Sequence, residues 1–140
     1  MIFLDTSVLI AVAQLKHEHH AASRKLWSQC ALERAAVSAH TLAELYSSLT
    51  GMPLVLRISP RDAIVALDVF LERLTPIALT AEEYLEVLRR TAGLGRPGGV
   101  VYDALHLACA RKIDAEIIYT WDVKHFKMVA PDLAERIVTP

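Results

Sequence analysis

Short apolar runs that stop at an acidic residue constrain this chain more than any other feature. Ile2-Phe3-Leu4 stops at Asp5, and Ile117-Ile118-Tyr119-Thr120-Trp121 stops at Asp122. Such runs, separated by stretches of helical periodicity, read as buried strands alternating with helices. That pattern implies an α/β domain with a parallel sheet and helices on both faces. The 140 residues suit one domain spanning 1–140, and no internal repeat, low-complexity tract or domain boundary interrupts them.

The spacing predicts a first strand over Ile2 to Leu4 and a helix from Ser7 to about Gln14. A second helix is expected from about His20 to Glu33, a strand over Ala35 to Ser38, and a helix opened by His40-Thr41 and running through Leu49. Leu54 to Ile58 reads as a loop or an edge strand. Ser59-Pro60-Arg61-Asp62 is a helix start, with a Ser cap and Pro in the first turn, and that helix is expected to reach about Leu74. Ile77 to Leu79 follows as a strand, and Thr80-Ala81-Glu82-Glu83 is a capping box opening a helix to about Ala92. A Gly-rich loop covers 93–99. After it come a helix from Val100 to Lys112, a strand over Glu116 to Thr120, a short helix over His125 to Val129, and a last strand at Ile137-Val138.

Composition narrows the function classes. A hydrophobic fraction of 54% with 22% charged residues excludes disorder. No run approaches the roughly 18 apolar residues of a membrane span, and no charged leader precedes Val8 to Ala13, so a cytoplasmic protein without a membrane role is expected. A net charge of −1 argues against a broadly basic nucleic-acid binder. It leaves a nuclease open, because clustered acids can be neutralised by metal ions. Cys30 and Cys109 have no metal-type spacing and read as buried thiols.

Four acids then stand out. Asp5 and Asp122 end strands, where ligands gather in open α/β sheets, although each can equally cap the helix that follows. Asp103 sits with His106 in an otherwise apolar helix; it is either a functional acid or a residue meeting backbone near the helix start. Burying a carboxylate without a partner is costly, and no Lys or Arg lies near Asp5 or Asp103 in sequence. Convergent acids would make a hard oxygen site for Mg2+ or Mn2+. His106 reads as a packing residue or as a group that orients Asp103. Glu44 is the weakest: Leu42, Leu45, Tyr46 and Leu49 share one helix face and Thr41, Glu44 and Ser48 the other, the pattern of a solvated Glu. Thr120 suits a bond to a carboxylate or an ordinary strand position, and His17, His19 and His20 read as a solvated loop. The Gly-rich loop has neither GxxxxGK[ST] nor GxGxxG.

In order, Met1-Ile-Phe-Leu-Asp5-Thr6-Ser7, Ala43-Glu44-Leu45-Tyr46, Gly98-Gly99-Val-Val-Tyr102-Asp103-Ala104-Leu105-His106 and Thr120-Trp121-Asp122 with His125-Phe126 resemble the four blocks of PIN-domain ribonucleases. No single block is specific; the ordered set across the chain is. The chain's size and the Leu-Thr-Gly-Met-Pro…Arg57-Ile-Ser-Pro stretch are most similar to VapC-type toxins of bacterial toxin–antitoxin pairs. The resemblance implies a PIN-like three-layer α/β/α sandwich around a short parallel sheet. It implies Asp5, Glu44, Asp103 and Asp122 as catalytic and metal-binding acids at one sheet end. It also implies Mg2+- or Mn2+-dependent cleavage of structured RNA such as tRNA or rRNA, a homodimer, and a cognate antitoxin protein. Thr6, Ser7, Thr120 and His106 are expected to support the acids. Arg57, Arg61, Arg96 and Lys124, with Lys127, are candidates for RNA contact or plain surface charge. Trp121 stands where relatives are often basic or small, and either stacks on a base or packs. Three rival readings remain: a catalytically silent RNA-binding or regulatory module, a metal-dependent hydrolase of small phosphoesters, and a nucleic-acid maturation nuclease with no antitoxin.

Overall fold

A computed structural model describes residues 1–30, 35–53 and 55–140. Five strands form one parallel sheet in the order β3-β2-β1-β4-β5: β1 Ile2–Leu4, β2 Ala35–Ser38, β3 Leu74–Ile77, β4 Ile117–Tyr119 and β5 Ile137–Val138. The helices are α1 Thr6–Ala13, α2 His20–Gln29, α3 Ala39–Gly51, α4 Pro60–Leu71, α5 Ala81–Gly93, α6 Val100–Lys112 and α7 Val123–Val129, with a 3-10 turn over Pro131–Arg136.

The alternation of strand side chains decides the layers. Ile2 and Leu4 of β1 enter a core with Val8 and Leu9 of α1, Leu26 and Trp27 of α2, Leu45 and Leu49 of α3, and Leu67 and Phe70 of α4. Phe3 points the other way, into a core with Ile118, Ile137, Leu107 and Ala110 of α6, and Phe126 of α7. Helix α5 packs outside α6 through Val87 against Ala104 and Leu105. Covered by the sheet on one side and α5 on the other, α6 has to be apolar nearly all round. Cys30 and Cys109 are buried thiols outside any disulfide, and burial pushes the Cys109 thiol up to about 11.

β1 is central. From it the chain steps outward through β2 to β3, then returns to the opposite side of β1 for β4 and β5. The direction of winding switches between β1 and β4, and a crevice opens at the carboxyl ends of the strands there. Asp5 follows the last residue of β1, and Thr120 follows the last residue of β4. The sheet order therefore brings the two acid-terminated runs together.

Several boundaries differ from the sequence expectation, most of them by one or two residues. Helix α4 ends at Leu71 rather than Leu74, and the next strand is Leu74–Ile77 rather than 77–79. The cause is Pro76, which disfavours a helical Thr75 and withdraws a donor that only an edge strand can spare. Pro76 pairs with Val37 on the outermost strand. α7 starts at Val123 because Asp122 caps it. Helix α2 is described to Gln29, so the expected continuation to Glu33 lies outside the described residues. Of the 54–58 segment, residues 55–56 form a turn and 57–58 follow as a loop, tied by Ile58 N to Leu49 O at 3.1 Å; Leu54 lies outside the described residues.

The histidine segment and Trp121 are structural. His19 stacks on Trp121 with ring centroids 3.7 Å apart, and the Trp121 indole donates to Ser23 Oγ at 2.9 Å. His20 Nδ1 lies 2.8 Å from the Ala11 carbonyl. The expected solvated His loop is thus a strap packed across the start of α2, and of the two readings of Trp121 packing holds. Among the described residues no helix is long and apolar enough to cross a membrane. Leu45 is fully buried beside Glu44, so Leu45→Ala should cost about 2–5 kcal/mol in a urea titration.

Candidate active site

Asp5 is buried, its side chain 8% exposed. Its Oδ2 accepts from Ser7 N at 3.3 Å, Ser7 Oγ at 2.6 Å and Thr120 Oγ1 at 2.9 Å. The cap and the site roles weighed for Asp5 are compatible, because capping α1 occupies only one oxygen. Oδ1 lies 3.8 Å from His106 Nε2. The two hydroxyls also bind the far strand: Ser7 Oγ accepts from Trp121 N at 3.1 Å, and Thr120 Oγ1 accepts from Asp122 N at 2.9 Å. Ser7 and Thr120 thus hydrogen-bond Asp5, while Thr6 bonds a different acid.

That acid is Glu44. Its Oε2 accepts from Thr6 Oγ1 at 2.5 Å and lies 2.8 Å from His106 Nε2. The helical wheel misplaced its surroundings. Thr41 is fully buried and Tyr46 is exposed, so α3 turns its Thr41 side inward, toward β2 and α6. Ser38, the last residue of β2, caps α3 through a 3.1 Å bond from Thr41 N, and its Oγ lies 2.8 Å from His106 Nδ1. His106 is therefore fixed at both ring nitrogens. It holds Glu44 rather than orienting Asp103, because the two acids face it from different helices. Burial works against a charge on His106, yet the bond to Glu44 and the fields of Asp5, Glu44 and Asp103 outweigh it and hold its pKa above the usual range. For Glu44, burial raises the pKa, but bonds from His106 and Thr6 prevail and leave it lowered.

Asp103 lies in the first turn of α6, half-buried, and Gly99 holds the cap position. Its carboxyl is pushed up to about 6, first by burial and then by the negative charges of Asp5 and Asp122. Asp122 is more open, its side chain 48% exposed, with Oδ2 2.6 Å from His125 Nδ1 and Oδ1 capping α7. All four acids line one open cleft of about 540 Å³, together with Thr6, His106 and two residues sequence reasoning passed over as site members, His40 and Tyr102. His40 lies 3.5 Å from Glu44 Oε1 and stacks on Tyr102. A larger recess of about 590 Å³ lies between α5 and α6, but its floor of Leu79, Val87, Leu94 and Ala108 holds none of the four acids. Arg57, Arg61, Arg96, Lys124 and Lys127 are all exposed, and none lines the cleft.

The donor set is carboxylate oxygen throughout, suited to a hard divalent cation. Among the described residues no three Asp, Glu, His or Cys side chains stand close enough to form a ready-made cage. Mg2+ asks for less than a cage, since it keeps several waters and takes one or two carboxylates. Burial and the negative charges of Asp5 and Asp122 both disfavour the charge on Asp103, a cost that a bound cation would relieve, so the residues fit such an ion.

The four acids thus meet in an open cleft at the winding switch of a parallel sheet, and comparison with known proteins gives the class. The PIN domain model matches residues 2–130. Ribonuclease VapC27 of Mycobacterium tuberculosis is 37% identical over 115 residues, covering 81% of this chain and 80% of its own. Ribonuclease VapC40 of the same species is 35% identical over 122 residues, 84% of each chain. The chain belongs to the PIN-domain family, in the branch of the VapC ribonucleases. In fold it is similar to the sarcin-ricin-loop-cleaving toxin VapC20 of M. tuberculosis, with a TM-score of 0.71 at 22% identity over 89% of this chain and 92% of that one. It is also similar to VapBC2 of Rickettsia felis bound to a promoter DNA fragment, with a TM-score of 0.64 at 23% identity over 93% and 94%.

Asp103 yields a signed prediction. Its pKa is higher folded than unfolded, so its charge opposes folding at neutral pH, and the penalty fades as pH falls from about 6 to about 4. In metal-free buffer Asp103→Asn should be more stable than the parent at pH 7 by about 2 kcal/mol, allowing for water in the cleft. Urea titrations across this range should show the gap closing at the acid end. A constant gap would mean that packing, not charge, is responsible.

Proposed function

We propose that this chain is a divalent-metal-dependent endoribonuclease, the toxin of a VapBC-type pair, hydrolysing phosphodiester bonds in structured RNA such as tRNA or rRNA. The observation that carries the reading is Asp103: a carboxyl held near 6 by burial and by Asp5 and Asp122, in a cleft open enough for a polymer. Asp5, Asp103, Asp122 and Glu44 would hold Mg2+ or Mn2+. When bound, the ion supplies positive charge to the phosphate and acidifies the attacking water.

The chain's own groups do the rest by position. Asp5 keeps one oxygen fixed by three donors, so its other oxygen is held at the cleft without rotamer freedom. Glu44, clamped by Thr6 and His106 and lowered in pKa, is suited to hold charge rather than to take up a proton. In the reaction a water oxygen forms a bond to phosphorus, the ribose oxygen leaves with the electrons of the broken P–O bond, and one proton passes from the water to that oxygen. Asp122, its side chain 48% exposed and beside His125, is placed to take that proton from the water and hand it to the leaving oxygen.

Partners follow the same reading: a cognate antitoxin, a second copy of the chain, and a cytoplasmic setting where such RNA lies. Support comes from Ile64, Val65 and Val69 of α4, each about half exposed, an apolar strip of the kind that protein partners cover. A small-phosphoester hydrolase is favoured less, because the acids line an open cleft instead of an enclosed pocket.

Purified, antitoxin-free protein should cleave total RNA into discrete fragments with Mg2+ or Mn2+ and not with EDTA. Asp5→Ala and Asp103→Asn should lose about 100-fold or more in rate, and Thr120→Val, which removes one anchor of Asp5, about 10-fold. Hydrolysis of an aryl phosphate with intact RNA would move the site to small phosphoesters.

A further inference from the structure

Among the described residues, those lining the acidic cleft include neither Lys nor Arg. His106 in the wall is buried and bonded to Glu44, so RNA drawn to the acids meets no exposed Lys or Arg there, and the exposed arginines and lysines stand elsewhere. The walls do offer aromatic surface. His40 and Tyr102 stack with ring centroids 5.1 Å apart and planes 9° from parallel. Tyr102 is 48% exposed although His40 covers one of its faces, so the opposite face is open. The pair is tied to the acids: Tyr102 directly precedes Asp103 on α6, and His40 is one turn before Glu44 on α3, 3.5 Å from its carboxylate. The other aromatic ring of the lining, Phe126, is 1% exposed and has no face to give. Trp121 is absent from the lining and already carries His19 on its ring.

Stacking is how a wall without Lys or Arg can hold a nucleotide, since every base has a π-face. Proteins take RNA bases on aromatic rings in loops, bulges and ends, where the bases are unstacked from one another. We propose that Tyr102, backed by His40, is a nucleobase platform that holds an unpaired base of the RNA next to the phosphodiester cut at the acids. The inference rests on the endoribonuclease reading and adds a substrate requirement to it. In a duplex both faces of each base are covered by its neighbours, so the platform selects unpaired segments. It reads a face and not a base edge, so it asks for an exposed base more than for a particular one. His40 sets the plane of the ring before the base arrives, which spares part of the ordering cost of binding.

The test uses RNA hairpins carrying 2-aminopurine at one loop position at a time, whose emission is quenched by stacking. With Mg2+ and the Asp103→Asn protein, which leaves the RNA uncut, quenching is expected at one position. It should be lost in Asp103→Asn/Tyr102→Leu and largely recovered with Tyr102→Phe in place of Tyr102→Leu. On cleavable hairpins Tyr102→Leu should raise KM by about 5- to 100-fold, the range of one stacked base, with a smaller change in kcat. Tyr102 is half exposed, so the variant should fold, and a thermal melt checks it. If the parent cleaves RNA while folded Tyr102→Leu keeps its KM within about twofold and its quenching, the platform is refuted and the nuclease stands. If the parent cleaves no RNA and quenches no probe, the nuclease reading falls and takes the platform with it.

Discussion

The site depends on how one buried carboxylate is held. Asp5 ends the central strand, and its Oδ2 gathers three donors, two from Ser7 and one from Thr120. A buried carboxylate left unpaired would cost the fold several kcal/mol, so these donors are a condition for placing an acid there. They also fix the site across the sheet, because the hydroxyls that bind Asp5 receive the backbone N–H groups of Trp121 and Asp122. The strand ends of β1 and β4 are thereby joined through side chains where their ladder stops. The acid that demanded partners has become the clasp that aligns Asp122 with it.

A second chain of bonds does the same between the helices. Ser38, His106, Glu44 and Thr6 form an unbroken line from the end of β2 through α6 and α3 to the start of α1. His106 is its hinge pin, buried and bonded at both ring nitrogens. Burial pushes up both Glu44 and Asp103, but only Glu44 has bonds from His106 and Thr6 that outweigh it, while Asp5 and Asp122 push Asp103 further in the same direction.

Much of this was legible in the sequence, for physical reasons. β1 and β4 are short apolar runs with an acid directly after them, and α6 is too apolar to be anything but buried; their acids follow from local pattern. Glu44 was legible only through the family resemblance, not through helical pattern. Its partners lie 38 and 62 residues away, and helical spacing assigned it to a solvated face because Thr41, which is buried, counted as polar. His40 and Tyr102 were missed in the same way, since ring contacts between two helices leave no periodic trace. A signal was available in Ser38-Ala39-His40-Thr41, a cap followed by a polar first turn, where a buried partner for Ser38 was worth seeking. Pro76 shifted the third strand because its effect on Thr75 outweighs the apolar run that follows.

The same proline has a wider consequence. Parallel sheets end in strands whose outer backbone is unpaired, the natural docking line for a foreign strand. Here one border is β3, interrupted by Pro76, and the other is the two-residue β5, too short to template an extended segment. The sheet has almost no border along which to grow. Association with other chains is thereby channelled to the helical faces, where side-chain shape rather than generic backbone pairing decides what is accepted.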